Sequence, residues 1–290
     1  MPILTIRHVT TYHYRHPVAF GEHRMMLLPR DDGDQIVVTS ALDITPAPSQ
    51  IAWTRDVFGN HVATAHFADH AAELRFESTI SVDHAPARFD ATAIADYART
   101  YPFAYAADEA PDLARYLTHA PCEHIERWAD AFLRGNGTAD THNLLVTMTQ
   151  TIKRDFKHVA RHQKGTLEPV QTLQFKSGSC RDVAMLMIAA LRSLGIAARF
   201  VSGYLHLPDS ADDHTPGGNT HAWVQAYVPG PGWVDFDPSS GAIGNANLVR
   251  VAVVDEPQAA IPLQGSWIGR ASDHLAMKVA VRVVAAEAAP

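Results

Sequence analysis

The chain has 290 residues, 47% hydrophobic and 19% charged, and its 24 basic against 31 acidic side chains give a formal charge of −7. That balance, without a dense Lys/Arg stripe, argues against a nucleic-acid partner, and no run approaches the roughly 18 apolar residues of a membrane span. The opening MPILTIRHVTTYHYRH lacks the apolar core and cleavage site of a secretory leader, so a cytoplasmic location is expected.

The first part alternates with period two. Leu4, Ile6, Tyr12 and Tyr14 do so weakly, Ile36, Val38, Leu42 and Ile44 more clearly, and Leu74, Phe76, Ile80 and Val82 clearly. Turn clusters at 31–34, 46–49 and 58–60 separate these runs, which predicts a small antiparallel, sandwich-like unit over residues 1–88. Beyond the Pro/Ala stretch at 84–88 the period changes. Ile125, Trp128 and Phe132 predict one helix, ending by Gly135, and Leu145, Met148 and Ile152 predict a second. A third helix is predicted from Cys180 to Leu194, with Gly195 as its stop. Strands follow at 199–205, 220–228 and 233–237, and a polar Gly/Pro loop at 206–219 is a candidate cover for a cleft. A last strand carries Leu275, Met277, Val279, Val281 and Val283 on one face. Residues 89–290, with this terminal strand, form the second predicted unit, and the class is α+β.

Two cysteines, Cys122 and Cys180, are too few for a disulfide framework, and both are expected to be reduced. Cys180 follows Ser177, Gly178 and Ser179 at a helix start, where the helix dipole favours a thiolate and unpaired N–H groups suit a developing oxyanion. Thiol catalysis also needs a base and a group that orients it. His221 lies on a predicted strand and Asp237 ends the next one, joined by the PGPG turn at 229–232, so the two can stand side by side. Each has a plainer reading: a buried cysteine, a structural histidine and a turn-forming aspartate before Pro238.

The blocks SGSCRDVAMLMIAALRSLGIAARFVSGYL and THAWVQAYVPGPGWVDFDPSSG resemble the core of the bacterial transglutaminase-like superfamily, whose members are often described as cysteine proteases. TTYHYRHPVAFGEHRMMLLPR resembles the β-rich N-terminal region that precedes that core. The resemblance implies a papain-like α+β core, with helices packed on an antiparallel sheet, and a triad of Cys180, His221 and Asp237. It further implies attack of the thiolate on an amide of a protein or peptide, with the acyl group passing to water or to a primary amine. No cofactor and no metal are implied. The competing expectation is an inactive scaffold on the same fold.

Other residues enter as candidates. Gln174 and Asp182 are candidates for an oxyanion donor or a group behind the nucleophile, although a loop glutamine and a capping aspartate are the plainer readings. Trp223 and Trp233 are candidates for a substrate wall, and Asp235 competes with Asp237 because residues two apart share a strand face. Among 17 histidines, His61, His66 and His70 lack metal-site spacing, and His158 and His162 sit among Lys157, Arg161 and Lys164 and read as surface residues. Oligomeric state is left open by the sequence.

Overall fold

The computed structural model describes residues 3–161, 165–207 and 220–285. Its first sheet is organised by one strand, β1 (Ile3–Met25), whose buried Leu4, Ile6, His8 and Thr10 alternate with less buried neighbours. The remaining early strands are β2 (Gln35–Thr45), β3 (Gln50–Arg55), β4 (His61–His66) and β5 (His70–His84). The first half of β1 pairs with β5, from Ile3 opposite Asp83 to His13 opposite Glu73. Its last residues, His23 to Met25, pair with β4, and the register with β5 slips between His13 and Val18. One strand therefore serves two partners in succession, and the expected sandwich-like unit is a curled seven-stranded antiparallel sheet.

The second unit begins with α1 (Ala110–Leu117), α2 (Glu123–Asp130) and α3 (Thr141–Asp155). Ile125 is buried on α2, and Leu145, Met148 and Ile152 are buried on α3, as their spacing predicts. A seven-residue helix, α4 (Pro169–Phe175), precedes α5 (Cys180–Ser193). Val183, Ala184, Leu186, Met187, Ile188, Ala190 and Leu191 of α5 are all buried. A helix apolar on nearly every side belongs in the centre of the unit. Gly195, at φ 72°, ends it. The second sheet comprises β6 (Ala198–Leu205), β7 (Thr220–Val228), β8 (Gly232–Asp237), β9 (Ala242–Ile243) and β10 (Leu248–Val254), in antiparallel order β9-β8-β7-β6-β10.

The terminal segment departs from the predicted division. Strands β11 (Leu263–Ile268) and β12 (His274–Ala285) both pair with β1, so this segment returns to the first sheet and not to the second. Without them, the long open edge of β1 would expose a row of unpaired N–H and C=O groups. Val281 and Val283 are buried as the period-two pattern requires, whereas Leu275 and Met277 are each 54% exposed.

Edge strand β10 is sealed by side chains of the first unit. Gln35 donates to the Arg250 carbonyl at 2.8 Å and accepts from the Arg250 N–H at 2.9 Å; Asn60 treats Val253 in the same way, at 2.9 Å each. Two amides thus imitate a neighbouring strand. The Arg250 side chain, 4% exposed, donates to Asp235 at 3.1 Å, to Asp32 at 3.4 Å and to Asp34. Arg250→Met would strand the buried Asp235 carboxylate, and we expect a loss of about 3–5 kcal/mol, read from urea unfolding.

Candidate active site

Cys180 is the first residue of α5, partly buried, and is held there by a capping arrangement. The fully buried Asp182 carboxylate accepts from the Ser179 N–H at 2.8 Å and the Ser179 hydroxyl at 2.7 Å. Its other oxygen accepts from the Leu167 N–H and from Arg161 Nη1, each at 2.7 Å. Asp182 is therefore saturated by the loop it organises, and it positions the helix start. Gly178 is required by the same packing, because a Cβ there would lie 2.7 Å from that of Asp182.

His221 and Asp237 come from neighbouring strands, with Val224 opposite Phe236 and Gln225 opposite Asp235. His221 Nε2 lies 2.8 Å from Asp237 Oδ2, and Asp237 is fully buried. An imidazole has two ring nitrogens, so engagement of Nε2 leaves Nδ1 for the sulfur. The Asp237 carboxylate also accepts from the Ser239 N–H at 2.9 Å and the Ser239 hydroxyl at 2.8 Å, and from the Ser240 hydroxyl at 2.5 Å. These hydroxyls hold the carboxylate toward the ring.

Charge distribution follows from these contacts. Burial pushes the Cys180 thiol up, but hydrogen bonds from the His158 and His221 side chains, the His221 charge and the Ala222 N–H outweigh it and bring it to about 6. Burial disfavours the His221 imidazolium, yet the bonds and charges of Asp237 and Cys180 raise it to about 10. Asp237, raised by burial, is drawn down to about 2 by His221, Ser240 and Ser239. At neutral pH these shifts favour the thiolate of Cys180, the imidazolium of His221 and the carboxylate of Asp237.

The other candidates take different places. Trp223 is fully buried, stacks on His221 at 6.1 Å between centroids, and donates from Nε1 to Asp235 at 2.6 Å. Asp235 thereby orients the ring that supports the histidine, and its other oxygen meets Arg250. Trp233 packs beneath the Arg199 guanidinium at 4.0 Å and beside Tyr116 at 5.0 Å and Tyr227 at 5.4 Å. Gln174 is exposed on α4 and not in a loop, and the groups brought to the sulfur are His158, His221 and the Ala222 N–H. Cys122 caps the start of α2, where its N–H donates to Glu126 at 3.0 Å. Residues 208–219 of the expected covering loop, and His162, lie outside the described residues.

Sequence reasoning missed three contributors. Ser239 and Ser240 stand in the PSSG following Asp237, and hydroxyls two and three residues after a buried aspartate are a local signal that was available. The spacing reads His158 as a surface residue; it is exposed, yet it stands on the ladder beside Gly178 and helps to draw the Cys180 thiol down. Its placement depends on a ladder between segments some twenty residues apart.

Residues 4–83 match the family model of the bacterial transglutaminase-like N-terminal region, and residues 127–238 match that of the transglutaminase-like superfamily. The chain thus carries a transglutaminase-like core behind a bacterial transglutaminase-like N-terminal region. The second match encloses Cys180, His221 and Asp237. A solved structure from Cytophaga hutchinsonii, described as a candidate cysteine protease, shares the fold with a TM-score of 0.74 at 20% identity, over 100% of this chain and 93% of that one. An uncharacterized protein of Mycobacterium leprae is 24% identical over 96% of this transglutaminase-like chain and 98% of its own. The protein-glutamine gamma-glutamyltransferase of Pseudomonas aeruginosa is 36% identical over 72 residues, 22% of this chain and 10% of that one.

Proposed function

We propose that the protein is a cysteine-dependent acyltransferase that opens amide bonds of protein or peptide substrates through Cys180, His221 and Asp237. The observation that carries this reading is the 2.8 Å contact of His221 with a fully buried Asp237, beside a thiol that α5 presents at its first residue. The Cys180 thiolate attacks the amide carbonyl carbon, and the first-turn N–H groups of α5 stabilise the oxyanion. His221 gives its proton to the departing nitrogen, the C–N bond breaks, and a thioester to Cys180 remains. Asp237 holds the ring orientation throughout and favours the imidazolium. Water or a primary amine then attacks the thioester carbonyl and gives its proton to His221, and the C–S bond breaks to return the thiolate beside an imidazolium. The short similarity to a protein-glutamine gamma-glutamyltransferase supports a carboxamide as acyl donor.

Incubating a peptide library with the enzyme, with and without a primary amine, and reading the products by mass spectrometry tests this. Deamidated, cleaved or amine-linked peptides are expected with wild type. Formation of the same products by Cys180→Ser at the wild-type rate would sink the proposal.

A further inference from the structure

The segment following α3 is tied down more firmly than a surface connection requires. Phe156, at the helix end, is buried and donates its N–H to Ile152 at 3.0 Å. Lys157 and His158 then run parallel to Ser177 and Gly178, with the Lys157 N–H on the Lys176 carbonyl at 2.8 Å and the Val159 N–H on the Gly178 carbonyl at 2.9 Å. The return is made by Lys176, which adopts φ 49° at the end of α4. At the far end Arg161 is paired with the buried Asp182 at 2.7 Å, and its carbonyl accepts from Arg181 at 3.3 Å. Both ends are thus fastened to the turn that presents Cys180, and His158 stands opposite Gly178, two residues before the sulfur.

We propose that His158 is a second catalytic histidine, donating a hydrogen bond to the Cys180 sulfur from the solvent side while His221 holds it from the sheet. This rests on the acyl-transfer reading above. The two imidazoles differ in setting: His221 is 9% exposed at the side chain and bound to Asp237, whereas His158 is exposed. An N–H donor to a sulfur anion needs no charge of its own, and charge-assisted bonds are about twice as strong as neutral ones. The bond is strongest while sulfur is a thiolate and weakens once sulfur is acylated. It therefore favours both the resting nucleophile and its departure from the thioester. The titratable groups facing the sulfur are His158 and His221, with Asp237 behind the latter. Asp182 and Arg161 neutralise each other at the foot of the helix.

The test is the far-ultraviolet thiolate absorbance of the full chain against pH, with Cys180→Ser subtracted as the blank. His158→Phe keeps a ring and removes the donor; His158→Gln keeps a donor. We expect His158→Phe to move the thiolate midpoint upward by about one pH unit, a tenfold change in the equilibrium. His158→Gln should recover part of that shift. Peptide turnover by His158→Phe should fall about tenfold, in parallel with the midpoint. A wild-type midpoint in folded His158→Phe, judged by near-ultraviolet circular dichroism, would overturn the proposal, as would a shift in His158→Gln equal to that in His158→Phe. The titration needs no substrate, so it reports on His158 even if Cys180→Ser retains turnover and the acyl-transfer reading fails.

Discussion

Replacing Cys180 by alanine should lower kcat/KM on the responsive peptides by on the order of 10⁴-fold or more, because removal of a nucleophile collapses the whole catalytic unit. The fold should survive, since the side chain is only partly buried and the helix start is held by Asp182 and Ser179. The same thiol can be followed without substrate. Iodoacetamide should modify Cys180 before Cys122 at neutral pH, because the thiolate is the reacting species and Cys180 titrates at about 6. The sign follows directly: above that value the sulfur is charged and alkylation is fast, and below it the rate falls as the thiol protonates. Peptide mapping at a series of pH values would check this. Equal, slow labelling of the two cysteines would count against an activated thiol.

The second large effect is expected at Asp237. Asp237→Asn keeps the volume but loses the charge and permits the wrong tautomer of His221, a change that costs on the order of 10³–10⁴ in kcat in serine-protease triads. It should also slow alkylation of Cys180 at neutral pH, since an imidazolium without its carboxylate gives up its proton more readily. Stability should change in a definite window. Asp237 is held at about 2, below its ordinary 3.8, so its contribution is present above the ordinary value and disappears as pH falls through 2. His221 is raised to about 10 from 6.5, so its contribution is complete below 6.5 and disappears as pH rises through 10. The difference between wild type and Asp237→Asn should therefore be widest between about pH 4 and 6.5 and narrow on both sides. Urea midpoints across that range measure it, and a difference independent of pH would contradict the assignment.

Much of this site is legible in the residues alone. Cys180 stands at a helix start because Ser179 and Asp182 form a local cap, and caps are written in adjacent residues. His221 and Asp237 lie on strands joined by a tight turn, so their proximity follows from an antiparallel hairpin and its period of two. Asp235 was less readable. Sharing a face with Asp237, it could be separated from it only by partners distant in the chain, and those are Trp223 and the buried Arg250. Through them the first unit reaches His221: Asp34 and Asp32 hold Arg250, Arg250 holds Asp235, and Asp235 fixes the ring stacked on His221.

The sequence by itself determined what is local or periodic: the period-two early strands, helices α2, α3 and α5, the three central strands after α5, and the pairing of His221 with Asp237. Tertiary structure alone decided which open edge a strand completes and which surface residue meets the sulfur. β12 shows the same alternation whichever sheet it joins, and only the unfilled side of β1 draws it to the first. His158 carries no spacing signal, because a parallel ladder and a left-handed turn at Lys176 bring it to Cys180. Hydrogen-bond ladders between distant segments depend on backbone register, and register leaves little trace in the residues themselves.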